Sequence, residues 1–237
     1  SRIVEVHNGS SLFTGDAGSG ESNARRYMIE NDLVEAIIAL PEKMFYNTGI
    51  GTFIWVLSNR KEERRKGKIQ LIDATAIKTP LRKNMGEKNC ELSPAQRQEI
   101  VRIFMAFEES EISKIFPNSE FGYWKVSVQQ PLLDEQGNPA LDKKGRIQPD
   151  KAKADTEIIP FRYEGGIEAF MDAEVRPYAP GAYIDPKATK IGYELSFTKY
   201  FYKSVQLRPM EDIVADLKAL EKEMDGMLAE ILGGIQG

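Results

Sequence analysis

The chain is poor in the residues that metal and redox chemistry draw on: its 237 residues hold one cysteine, Cys90, and one histidine, His7. A lone thiol forms no internal disulfide, and one imidazole with one thiol cannot assemble a His/Cys zinc site. Metal dependence is not expected. No apolar run approaches the roughly 20 residues that span a bilayer, and no basic segment leads into an apolar one near the start. These absences argue for a cytoplasmic protein with no membrane partner. Charge of one sign is not in excess either, since 32 basic against 36 acidic residues leave a net −4. A phosphate-tracking protein usually shows a basic stripe instead. The basic runs, Arg60 to Lys68 and Arg82 to Lys88, read as solvated loops, because like charges in series repel one another.

With 41% apolar and 29% charged residues, the chain can bury one sizeable core or two smaller ones. Two short apolar runs, Ala36 to Leu40 and Thr52 to Leu57, are bounded by Pro41, Gly49 and Gly51 and read as buried strands. Between them lie Phe45, Tyr46 and Asn47, where aromatic faces beside an amide suit a flat ligand such as a nucleobase. The alternative is a turn whose Phe45 folds back onto the core.

Around this segment, Arg2 to His7, Leu33 to Leu40, Thr52 to Ser58 and Lys68 to Asp73 are expected strands, with a helix over about 22–31. Strand and helix alternate here as at one edge of a doubly wound α/β sheet. A further helix begins after Ser93, where Pro94 suits the first position and Gln96 completes a capping box. Ile100, Ile103, Phe104 and Phe107 form its apolar stripe. Tyr123 to Leu133 reads as a β-segment, Asp134 to Asp155 as a hairpin-like excursion, and Gly166 to Val175 as a short helix. The stretch from Tyr178 to Phe201 is expected to be irregular because of its Pro and Gly stops. A last helix runs from Pro209 to about Leu232, with Glu211 and Asp212 at its positive end. Within it Ile213, Leu217, Leu220, Met224, Met227 and Ile231 are spaced as a heptad seam. A helix packed on its own domain would show the same stripe.

Three long, ordered stretches carry a resemblance: Asn8 to Asn59, then FGYWKVSVQQPL from Phe121 to Leu132, then DTEIIPF from Asp155 to Phe161, continuing through EVRPYAPGAYID and IGYELSFTKYFY. Together they resemble the C-terminal half of the modification (M) subunit of type I restriction-modification systems, adenine-N6 DNA methyltransferases. The resemblance implies an α/β fold: the C-terminal edge of a Rossmann-like methyltransferase sheet over residues 1–78, then a mainly helical region with a β-hairpin over 79–237, ending in a partner-binding helix at about 209–232. It implies S-adenosylmethionine as cofactor. DNA, a specificity (S) subunit and, in complete systems, a restriction (R) subunit are the implied partners.

In that family an Asn-Pro-Pro-Phe/Tyr tetrapeptide holds the adenine amino group, and a glycine-rich turn upstream cradles the cofactor. No Pro-Pro pair occurs here, and Asn138-Pro139-Ala140 lies in a polar turn-like stretch. The chain also starts at Ser1, directly in an apolar run. It is therefore expected to be a piece of a longer methyltransferase, inactive alone, with no catalytic residue of its own; a non-catalytic interaction module is the alternative. The residue carried over is Phe45, whose ring resembles the one that packs on the flipped adenine, with Tyr46 a second candidate for the same face. Asn47 and Thr48 are expected to support the loop through side-chain hydrogen bonds to backbone, and Gly49 and Gly51 by adopting geometry that β-carbons resist. The resemblance assigns the heptad seam to the S subunit.

Two glycine patterns imitate other sites. Gly15 to Ser22 has P-loop spacing, but Glu21 replaces the lysine and would repel a triphosphate. Gly18 and Gly20 with Glu42 imitate a dinucleotide turn, but Asn23 stands where the third glycine belongs. Both are expected to be a surface loop leading into a capped helix.

Overall fold

The structure is a computed structural model and describes residues 1–202 and 209–233, except the side chains of 225, 226 and 228–233. Residues Ser1–Phe201 make one compact unit and Tyr202–Gly237 a second.

A five-stranded mixed sheet anchors the first unit, in the order β1 (Arg2–Asn8), β3 (Thr52–Ser58), β2 (Val34–Ala39), β4 (Lys68–Asp73), β7 (Ser113–Pro117). β2 and β4 run parallel, while β3 is antiparallel to both β1 and β2. Every residue of β2 is buried, Glu35 among them, as expected of a strand covered on both faces. Ile37 packs with Ile29, Trp55, Ile69 and Leu71 on one face, under α1 (Ser10–Phe13) and α2 (Gly20–Glu30). Ala36, Ile38 and Leu40 pack with Val56, Ile72 and Ile100 on the other, under α3 (Pro94–Ala106). The helix starts follow the expected chemistry. Ser19 caps α2 by accepting from the Ser22 N–H, and at α3 Ser93 and Gln96 satisfy each other's backbone N–H groups at 3.2 and 2.9 Å.

Among the described residues beyond 79, strands alternate with the helices. A hairpin, β5 (Thr79–Met85) and β6 (Lys88–Glu91), precedes α3. A three-stranded antiparallel sheet then forms with β8 (Gly122–Gln129) between β9 (Asp155–Pro160) and β10 (Tyr183–Tyr193). β10 occupies the middle of the segment expected to be irregular, 11 residues from Tyr183 to Tyr193. Its pairing shifts register between Asp185 and Lys190, so a bulge around Pro186 breaks the two-residue alternation that identifies a strand. Gly192 is a strand position rather than a stop: a β-carbon there would lie 2.2 Å from Tyr123 Cζ across the ladder. The short helix is α4 (Gly166–Phe170) continued by a π-helical turn, Met171–Val175. The excursion between β8 and β9 is held by isolated bridges such as Pro131 to Pro149. α5 (Phe197–Phe201) ends the first unit, and the second holds α6 (Met210–Gly233).

The run Arg60 to Lys68 is not a solvated loop. Arg65 is 1% exposed and Lys61 is buried. Lys61 donates to Asp32 and to the Lys68 carbonyl, while Arg64 and Arg65 close the C-terminus of α3, where the last carbonyls of a helix have no partner within it. Arg64 donates to the Met105 and Ala106 carbonyls at 2.7 and 2.9 Å, Arg65 to the Phe104 carbonyl, and Gln70 from β4 to the Ile103 carbonyl at 3.2 Å. Arg65 also donates to Gln70 Oε1 and lies between the Phe104 and Phe107 rings, 4.3 Å from each. Glu35, fully buried in β2, faces Arg65 at 3.5 Å and accepts two bonds from Arg2. Charge of this kind belongs at a helix C-terminus because it meets the negative end of the dipole.

Candidate nucleic-acid interface

Because β3 opposes both β1 and β2, and β4 is parallel to β2, the carboxyl ends of β1, β2 and β4 share one edge of the sheet. In open α/β sheets that edge is where ligands bind. Residues 41–51 leave it from β2, and the β5–β6 hairpin follows from β4.

The two segments are fastened together. Asn89 N–H donates to the Lys43 carbonyl at 3.0 Å, and the buried Cys90 thiol donates to the Glu42 carbonyl at 3.3 Å. Lys88 Nζ lies 5.0 Å from the centre of the Tyr46 ring, within cation–π range. A β-carbon on Gly86 would meet Asn47 Oδ1 at 3.3 Å. Met44 anchors the loop by packing on the apolar cluster beneath α3. Phe45 and Tyr46 instead point outward, 36% and 61% exposed, beside Ile50 at 56%. The structure thus puts both expected rings on one accessible loop, and the residue that turns to the core is Met44.

The expected supports act differently. Among the described residues neither Asn47 nor Thr48 makes a side-chain hydrogen bond to backbone. Asn47 contributes its backbone, in the left-handed region at φ 55°, as does Lys43. Asn tolerates this conformation because its short amide can bond locally. Gly49 and Gly51 have no positive φ, and a β-carbon at Gly51 would meet nothing. The special geometry expected of these glycines is taken up at Lys43 and Asn47. Sequence reasoning missed the hairpin as part of this site; the signal available was Gly86 after Asn84 and Met85, in a short polar interval between two runs.

The glycine-rich stretch behaves as a loop. Gly15 and Gly18 take positive φ, and Glu21 occupies the first turn of α2. An acid there opposes an anionic ligand, so these residues do not fit a phosphate or a cofactor cradle. Among the described residues no His, Cys, Asp and Glu cluster suits a metal, and no helix is long and apolar enough to cross a membrane.

In α6 the seam is open: Ile213, Leu217, Leu220, Met224 and Met227 are 42% to 63% exposed. The Ile231 side chain lies outside the described residues.

The chain belongs to the N-6 DNA methylase family, whose model matches residues 2–126, the region that builds the five-stranded sheet, the aromatic loop and the hairpin. It is similar to the methylase subunit of the type I restriction enzyme MjaIX of Methanocaldococcus jannaschii, with 33% identity over 112 residues, 47% of this chain and 19% of the relative. The HindI methylase subunit of Haemophilus influenzae is 42% identical over 59 residues, 25% of this chain and 13% of that one. In four such curated relatives the shared segment spans 10% to 19% of their length. A solved methyltransferase subunit of a type I restriction-modification system from Streptococcus thermophilus covers 50% of this chain, and 23% of its own, at 21% identity and a TM-score of 0.42.

Proposed function

We propose that this chain is the target-base side of a site-specific DNA adenine-N6 methyltransferase, the M subunit of a type I restriction-modification system. What carries the reading is the pair of exposed rings, Phe45 and Tyr46, on a loop pinned to the carboxyl edge within the segment that matches the family. A base swung out of the duplex loses stacking worth a few kcal/mol, and an aromatic ring returns about 1 to 3 kcal/mol of it. On this reading Phe45 is the stacking face and Tyr46 its neighbour. S-adenosylmethionine is the methyl donor of the whole enzyme, and its main binding motif lies upstream of this chain.

Residues 1–78, with β7 added from beyond them, supply the C-terminal edge of the methyltransferase sheet. β1 supports this: all seven of its residues are exposed and Ile3, Val4 and Val6 are at least half exposed, an edge that natural proteins rarely leave bare. Residues 79–237 form the accessory region, and α6 presents its seam to the S subunit. Burying such a seam contributes on the order of 10 kcal/mol gross, comparable with the cost of association.

The test is Phe45→Ala in the full-length enzyme assembled with its S subunit, assayed with labelled cofactor and unmethylated DNA. Base binding should weaken by about 5- to 150-fold, the equivalent of 1 to 3 kcal/mol, with assembly intact and Phe45→Trp partly tolerated. Loss of folding without a specific loss of base binding would sink the assignment. The chain alone, lacking the tetrapeptide, should transfer no methyl group with or without S subunit.

A further inference from the structure

Five cations lie on the aromatic loop and on or next to the hairpin fastened to it. Lys78, Arg82, Lys83 and Lys88 lie on or next to the hairpin, and Lys43 on the loop. Among the described residues none of them makes an ion pair, and Lys88 turns its ammonium to the Tyr46 ring instead. Arg82 and Lys83 are exposed. In a chain of net charge −4, these five cations against Glu42, Glu87 and Glu91 leave the loop and hairpin together with an excess of two positive charges. Cations that follow a backbone next to aromatic faces are what a single nucleic-acid strand requires.

We propose that the β5–β6 hairpin is a phosphate clamp for the DNA strand that carries the target base, with Arg82 and Lys83 contacting its phosphates and Lys88 acting as a positioning residue for Tyr46. The proposal rests on reading Phe45 and Tyr46 as base-stacking rings. The clamp would hold the sugar-phosphate chain on either side of the extruded nucleotide, and the Asn89 and Cys90 contacts keep it in step with the loop.

The test uses the 237-residue chain and a single-stranded oligonucleotide with 2-aminopurine at the target position. Anisotropy across a salt series reads phosphate contacts, and 2-aminopurine quenching at saturation reads stacking. Each lost contact on a single strand lowers the slope of log K against log salt by about 0.7. Arg82→Gln with Lys83→Gln should lower it by about 1.4, with saturated quenching and the thermal transition unchanged. Phe45→Ala should do the reverse, reducing quenching at constant slope. Lys88→Gln should reduce quenching and Lys88→Arg restore it. An unchanged slope in the double variant, or wild-type binding that does not depend on salt, overturns the clamp. If Phe45→Ala leaves quenching intact while the double variant still loses slope, the stacking assignment fails and the phosphate contact stands.

Discussion

Arg65→Met tests whether the basic run holds the first unit together. The guanidinium is 1% exposed, faces the buried Glu35 carboxylate at 3.5 Å, and donates to Gln70 Oε1 and the Phe104 carbonyl. Methionine fills much of the same volume, so the loss is mainly electrostatic and polar. Glu35 keeps Arg2, but Gln70 Oε1 and the Phe104 carbonyl lose a donor in a site that water does not reach. Removing one partner of a buried pair costs about 3 to 5 kcal/mol. For a domain near this size each kcal/mol shifts the melting temperature by roughly 2 to 4 °C, so a fall of about 6 to 20 °C is expected. Urea unfolding followed by circular dichroism measures the free energy directly. Adding Glu35→Leu should recover more than about 1 kcal/mol relative to the sum of the single changes, because the two groups are coupled. A cost below about 1 kcal/mol for Arg65→Met, or strict additivity, would refute the account of this network.

Asp32 is drawn upward by partial burial, but Lys61, the Gly67 N–H and Asn118 outweigh this and hold its pKa below the ordinary value. A depressed carboxylate adds stability that is complete above its unfolded pKa of about 3.9 and is lost as pH falls through the folded one. Wild type should therefore lose stability below about pH 4 more steeply than Asp32→Asn, as read by urea midpoints across acid pH. Gly192→Ala should cost about 1 to 3 kcal/mol by overpacking against Tyr123, and Tyr123→Ala in the same chain should remove most of that penalty. In α6, Leu217→Glu with Leu220→Glu should leave the melting of the chain nearly unchanged, since both side chains are already more than half exposed. The same change should abolish capture by the S subunit; a destabilised chain that still binds would rule out the seam.

The parts of the fold that could be read from sequence are those whose determinants are local. β2 announces itself by consecutive apolar residues, and α3 by Ser93, Pro94 and Gln96, all within one turn of the helix start. What could not be read depends on residues far away in the chain. Nothing near Arg64 and Arg65 shows that a helix will end beside them 40 residues later, so a run that looks solvated becomes a buried cap. Glu35 is hidden inside an otherwise apolar strand because Arg2 and Arg65 come from separate segments. β10 lost its alternation to the bulge at Asp185 to Lys190, and Gly192 looked like a stop because its neighbour Tyr123 is known only once β8 is paired to it.

The aromatic loop lies between these cases. Exposure of Phe45 and Tyr46 could not be deduced from spacing, since a single ring in a turn can go either way. Three things decide it in the structure. Met44 takes the core position, so the loop is anchored without using Phe45. The left-handed residues Lys43 and Asn47 bend the backbone on both sides of the two rings. The hairpin then closes against the loop from one side through Asn89, Cys90 and Lys88. An apolar ring held out toward solvent forgoes burial worth about 1.5 to 3 kcal/mol. Anchoring by Met44 and bracing by the hairpin offset that loss, so the rings can remain presented in the free protein. A ligand binding there then meets a loop already in place and owes little ordering entropy. This preorganisation makes the hairpin part of the same surface as the two rings.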